Sequence, residues 1–221
     1  MMMDVGRGPT STTFPPPMPL CPGLSGSFMA WDAERLTGPD GDDWRVPVSE
    51  LEERRNRLAS ALAESGLESA LIDDPVELYW LTGGRQNGMI LVGAEGSGVS
   101  NVHWVRKSLD RARFESGGDD APDSVVAQPR MSGLADALRA NGATRAPAML
   151  AGKIPHDRWA FFAGRLSSLG DMSDCTHLLY GLRETKSAWE LEMHRESGRI
   201  NRRMFEAIPD VGGVGRTELE M

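Results

Sequence analysis

Chemistry in a chain of this size is sought first in its histidines, cysteines and paired carboxylates. The four histidines, His103, His156, His177 and His194, are isolated from one another. Only Asp157 beside His156 and Glu196 near His194 offer a second donor at short spacing. Both places sit in charged helical stretches that a solvated face explains, so no metal site is expected from them. Asp73-Asp74 and Asp119-Asp120 are the adjacent acids that could share divalent ions for in-line displacement. The first pair precedes Pro75 and the second lies in a Gly-Asp loop, where turn chemistry accounts for them. Gly23-Leu24-Ser25-Gly26 lacks the second glycine of a nucleophile elbow. Gly93-Ala94-Glu95-Gly96-Ser97-Gly98 lacks the lysine and following helix of a phosphate loop. Cys175 has no basic neighbour to make it a thiolate.

The elements that would carry these residues follow from periodicity and punctuation. A helix is expected over Ser49–Ser65, opened by a Ser49/Glu52 capping box and stopped by Gly66. Leu67–Ile72 reads as a strand and Val76–Leu81 as a short helix. Gly88–Gly93 and Val99–Val105 read as a hairpin about Glu95-Gly96-Ser97-Gly98. Ser108–Phe114, Gly133–Ala140 and Pro155–Ser168 read as helices; Ser124–Ala127, Ala148–Ala151 and His177–Leu182 read as strands. Strands alternating with helices imply an α/β protein, and the hairpin makes its β-sheet mixed, with helices on both faces. Ser187 and Glu190 form a capping box for a long helix over Ala188–Ile208 with an apolar stripe of Trp189, Met193, Ile200, Met204 and Ile208. A turn is expected over Pro209–Val214 and another helix opening near Arg216–Glu220.

Composition bounds the partners. With 221 residues, 40% of them hydrophobic and 25% charged, the chain has the make-up of a soluble globular protein. A net charge of -8 disfavours polyanion binding, so no nucleic acid partner is expected. No apolar run has the length of a membrane span and the first residues do not resemble a secretory signal. Cys21 and Cys175 do not make a disulfide framework, which fits a cytoplasmic location. Residues 1–45, rich in Pro, Gly and Ser, are expected to be a disordered extension. Phe28, Met29, Trp31 and Leu36 within it are expected to dock locally on the domain, the alternative being that the aromatic residues mark a partner-binding peptide.

Three blocks in order resemble one family. Arg57-Leu58 through Gly66-Leu67-Glu68-Ser69-Ala70-Leu71-Ile72 and Asp74-Pro75-Val76-Glu77-Leu78-Tyr79-Trp80-Leu81-Thr82-Gly83 form the first. Val105-Arg106-Lys107-Ser108-Leu109-Asp110-Arg111-Ala112-Arg113 through Glu115-Ser116 form the second. The third is Leu182-Arg183 with Lys186-Ser187, then Trp189-Glu190-Leu191-Glu192-Met193 and Thr217-Glu218. Together they are similar to the creatinase-type N-terminal domain of Xaa-Pro peptidases and its border with the pita-bread catalytic domain. The resemblance implies a ribonuclease-H-like layout over residues 46–183 and, at 184–221, the truncated start of a catalytic domain.

By the same resemblance, two divalent metals such as Mn²⁺ would be held by Asp, His and Glu residues downstream of Met221, so no cofactor is expected in this chain. It also implies a homodimer, or association with a full-length homologue, in which the Thr82–Asn87 loop reaches a partner's active site. There Arg85 would fork onto a substrate carboxylate and Trp80 would form a wall. The expected function is a non-catalytic N-terminal domain, inactive alone, for oligomerisation and substrate access. Two alternatives stand beside it, a stand-alone interaction module and a small-molecule-binding module.

Overall fold

The computed structural model describes residues 45–212 together with Gly215 and Thr217. The expected extension, with Cys21 and the group Phe28, Met29, Trp31 and Leu36, lies outside the described residues, as does the helix opening expected near Arg216–Glu220 apart from Thr217. The short apolar runs become β1 (Ser69–Ile72), β2 (Gly88–Gly93), β3 (Val102–Val105) and β4 (Ser124–Ala127). These four lie side by side in chain order. β1 with β2 and β2 with β3 are antiparallel, and β3 with β4 is parallel. The hairpin therefore forms as expected, with Met89 opposite Trp104 and Ile90 opposite His103. Its connection turns through Gly96 and Gly98, at φ +73° and +78°, where a side chain would be strained.

Alternation along the strands sends apolar residues to both faces. Ala70, Ile72, Ile90 and Val92 pack on one side against Leu58 and Leu62 of α1 (Val48–Glu64), Leu78 and Leu81 of α2 (Pro75–Thr82), and Leu179 of α6 (Thr176–Glu184). Leu71, Met89, Leu91, Val102 and Trp104 pack on the other against α4 (Leu134–Ala140) and Phe162 and Leu166 of α5 (His156–Leu166). A smaller cluster joins Val105 and Val125 to Ala112 of α3 (Leu109–Glu115). This is the expected mixed sheet with helices on both faces. Among the described residues, no helix is long and apolar enough to cross a membrane.

Four local expectations are corrected. α1 begins at Val48 with Pro47 as its N-cap and no side-chain cap; Ser49 is already inside the helix, so the expected Ser49/Glu52 box does not form. Its other end is as expected, because Gly66 at φ +69° lets Leu67 N–H return to the Leu62 carbonyl at 2.9 Å. Ala148–Ala151 makes only isolated parallel bridges, Ala70 with Ala148 and Met149 with Asp174. His177–Leu182 is helical, within α6. Asp174 Oδ1 accepts from the Thr176 N–H at 2.9 Å at the helix start, and Leu178, Leu179 and Leu182 fall on one face against the core, a helical spacing.

The fourth correction concerns α7, which spans Ala188–Val211 and runs through Pro209. Proline removes one helical N–H. Residues 204–206 are exposed, so water can take the carbonyl it frees. The helix ends where Gly212 N–H reaches the Ile208 carbonyl at 2.7 Å. At its other end the Ser187/Glu190 capping box is present as expected.

Candidate functional site

The Thr82–Asn87 loop is shaped by what ends α2 and what lies beneath it. Gly83 closes the helix in the left-handed region at φ +67°, and a Cβ there would sit 3.0 Å from the Glu115 carbonyl oxygen. Only glycine suits that position. The chain then folds over the Glu115 side chain, which is 1% exposed. Glu115 accepts from Arg85 N–H at 3.0 Å, Gln86 Nε2 at 2.9 Å, Arg85 Nη2 at 3.2 Å and Arg111 Nε at 2.6 Å. Burial works against its charge, but hydrogen bonds from Arg111, the Arg85 backbone and Gln86 outweigh it and hold the carboxyl below the usual range.

The other side of the site follows β3. Arg106, Lys107 and Ser108 connect it to α3, and Ser108 adopts φ +59°, the one non-glycine residue in the left-handed region among those described. With Arg85, Gln86 and Asn87 these residues line a depression of about 450 Å³. Three cations and no carboxylate face it, which suits an anionic group. The Arg85 side chain is 59% exposed, so the rest of its guanidinium remains open to a ligand while Glu115 holds its Nη2 and its backbone N–H.

Trp80 lies elsewhere. Its ring is 6% exposed within the core cluster, and its Nε1 donates to Glu190 Oε1 at 2.8 Å. Arg54 stacks 5.3 Å from that ring and 5.5 Å from Trp189, and also reaches Glu190 at 3.0 Å. The structure thus turns Arg85 and Trp80 toward different neighbours rather than into one pocket. Glu190 resists burial of its charge through the Ser187 N–H, Trp80 and Arg54, which hold its carboxyl low.

His103 lies beneath the loop, with a Cβ on Gly84 falling 3.6 Å from its Cε1. Neither ring nitrogen has a hydrogen-bond partner. Burial and then the charge of Arg55 push its pKa down to about 4, so it is neutral at physiological pH. Cys175 is a buried thiol pushed up to about 12, chiefly by burial. Asp74 caps α2 through the Val76 and Glu77 N–H groups, and Asp73 pairs with Arg158 at 2.8 Å. Among the described residues, no group of three or more His, Cys, Asp or Glu is placed to hold a metal ion.

Sequence reasoning named Arg85 but not Glu115, Arg106 or Lys107 as parts of this site. The visible signal was the i, i+4 spacing of Arg111 and Glu115; nothing in it tells that the carboxylate also receives a loop thirty residues away.

Comparison with known proteins decides the family. The model of the Creatinase/Prolidase N-terminal domain matches residues 54–185. The chain belongs to that family. Solved structures show the same fold for this creatinase-type domain. The dipeptidase PepE from Mycobacterium ulcerans has 22% identity and a TM-score of 0.60, over 80% of this chain and 48% of that one. The Xaa-Pro dipeptidase from Bacillus anthracis has 17% identity and a TM-score of 0.61, over 77% and 46%. The prolidase from Pyrococcus horikoshii has 15% identity and a TM-score of 0.59, over 76% and 45%. The chain therefore spans about half the length of the structures it resembles. None of the curated proteins matches it significantly.

Proposed function

We propose that this creatinase-type domain is the non-catalytic N-terminal part of a cytoplasmic Xaa-Pro aminopeptidase or dipeptidase-like metallohydrolase, serving subunit association and substrate access. The observation that carries it is the basic edge, where Arg85 stands exposed on a loop fastened to buried Glu115, beside Arg106 and Lys107. Such an edge can steer and hold a carboxylate. The two divalent metals that the family implies do not fit the residues described here, which offer no donor set for them. They would belong to the catalytic portion of a full-length relative, and no step is assigned to them in this chain. Trp80, a core residue whose indole N–H donates to Glu190, would act by fixing the α2 end from which the loop departs.

A second role is favoured by α7, whose outer face leaves Leu191, Met204, Phe205 and Ile208 exposed. Apolar residues grouped in this way mark an association surface, so the chain would pair with a second copy or with a full-length homologue.

The experiment is to co-express the chain with a full-length creatinase-family peptidase of the same organism. A mixed assembly whose KM for an Xaa-Pro dipeptide rises about tenfold on Arg85→Ala, with kcat and thermal midpoint kept, is expected for loss of a charged fork. Mn²⁺-dependent, chelator-sensitive hydrolysis by the chain alone would overturn the proposal.

A further inference from the structure

A deeper cleft lies on the same edge of the sheet. β1 and β3 run in one direction because each is antiparallel to β2, and β4 and the Ala148 bridge run with them. Their carboxyl ends open together, so that Asp73 follows β1, Arg106 follows β3, Gln128 follows β4 and Lys153 lies just beyond Leu150, all on the cleft wall. Carboxyl ends of parallel strands are where open α/β sheets leave a crevice for ligands. Its volume is about 580 Å³, within the roughly 300–1,000 Å³ of small-molecule sites.

Most of its charge is already satisfied. Asp73 is paired to Arg158 at 2.8 Å, and Lys153 lies 3.4 Å from Asp74 and 2.6 Å from Glu77. Neutralised in this way, the acids do not repel an anion. Two polar groups are left over. Arg106 gives its backbone N–H to the Asn87 carbonyl at 2.9 Å, while its guanidinium meets no acidic partner among the described residues. Gln128 Oε1 is buried with no partner, and its Nε2 has only Met131 Sδ at 3.4 Å. Turning the amide over exchanges the two atoms and still leaves one without a proper partner. The unmatched buried amide is costly, and the exposed Arg106 side chain on the same wall is open to a ligand. Met131, beside Gln128, and Phe162 and Phe161 add apolar lining, Phe161 being 43% exposed.

We propose that this cleft binds an N-acylated amino acid with an apolar side chain, the chemistry shared by a free N-acyl amino acid and the carboxyl-terminal residue of a short peptide. The Arg106 fork takes the carboxylate, Gln128 Oε1 takes the amide N–H, and the side chain lies against Phe161 and Met131. This goes beyond the role proposed above. It needs only this chain, and it stands whether or not Arg85 meets substrate in a larger enzyme.

The test is isothermal titration of the full chain with N-acetyl-L-phenylalanine, N-acetyl-L-phenylalaninamide, 3-phenylpropanoate, Ala-Ala-Phe and inorganic phosphate. Saturable one-site binding of N-acetyl-L-phenylalanine or Ala-Ala-Phe is expected. Affinity should fall about tenfold when the probe loses its carboxylate or its amide, and by a like factor in Arg106→Ala and Gln128→Leu. Phe161→Ser should weaken the aromatic probes and not phosphate. Tighter binding of Ala-Ala-Phe than of N-acetyl-L-phenylalanine assigns the site to peptide carboxyl termini, and the reverse order assigns it to free N-acyl amino acids. The proposal is overturned if neither probe saturates, if phosphate binds as well as they do, or if binding survives both Arg106→Ala and Gln128→Leu in protein with an unchanged thermal midpoint.

Discussion

Glu115 holds Arg85 at two points, accepting its backbone N–H at 3.0 Å with one carboxylate oxygen and its guanidinium at 3.2 Å with the other. The backbone contact fixes the loop, and the side-chain contact limits the directions in which the fork can swing. An exposed arginine alone would sample many rotamers and lose entropy on binding. Here the buried carboxylate restricts it beforehand.

Replacing Glu115 by Gln should therefore loosen residues 82–87. Urea unfolding should show a loss of about 1–3 kcal/mol, the scale for leaving buried donors poorly matched, and the Arg85 amide should exchange faster with solvent. The carboxyl is held below its ordinary value of 4.5, so its contribution is complete above that pH and disappears as pH falls through the depressed folded value. Glu115→Gln should lack this part of the acid response; an equal acid slope in both proteins would refute the assignment.

His103 should give a pH dependence in a different window. Its folded value of about 4 lies below its ordinary 6.5, so the unfolded chain binds more protons between those values. Stability should fall as pH drops from about 6.5 toward 4 and then level off for this group. In His103→Leu, which puts an apolar group where two unpartnered nitrogens were, the slope in that window should flatten and stability near pH 5 should rise. Carbon-bound proton resonances of His103 that titrate near pH 6.5 in the native protein would contradict this.

The junction with α7 rests on Glu190, which caps the helix at Ser187 and ties it to Trp80 and Arg54. Glu190→Ala removes the carboxylate half of the capping box, which accepts from the Ser187 N–H, and the bonds to Trp80 and Arg54 at once. The Ser187 hydroxyl still accepts from the backbone N–H of residue 190, so the N-cap itself remains. Hydrogen exchange should rise through the first turns of α7 and at the Trp80 indole, while β1–β3 keep their protection. Trp80→Phe, which deletes one hydrogen bond and keeps the packing, should have a smaller effect of the same kind.

The outer face of α7 should govern self-association. Met204, Phe205 and Ile208 are 62%, 73% and 52% exposed, and the combined change of all three to Glu should lower the sedimentation coefficient if they join copies of the chain. Far-UV circular dichroism should remain helical, since Glu is a good helix former. A sedimentation profile identical to that of the native chain would show that this face does not associate.

What the sequence determined by itself was written in short-range patterns. The capping box at Ser187 and Glu190, the glycine stop at Gly66 and the alternating runs of the hairpin are local, because the groups that satisfy each backbone end lie within a few residues. The family resemblance was legible for the same reason, in consecutive blocks. Only the tertiary structure decided the rest. Leu178-Leu179-Tyr180 suits a strand or a helix by composition, and it became α6 because Leu178, Leu179 and Leu182 find the core together while Asp174 accepts from the Thr176 N–H at the helix start. Ser49 lost its expected cap role when the helix began one residue earlier at Val48. Trp80 was placed by Glu190, 110 residues away, and Arg85 by Glu115. Arg106, Gln128 and Lys153 share a cleft only because parallel strands end on one edge. Side-chain partners at such separations leave no periodic trace, since contacts between distant segments are set by packing and not by spacing along the chain.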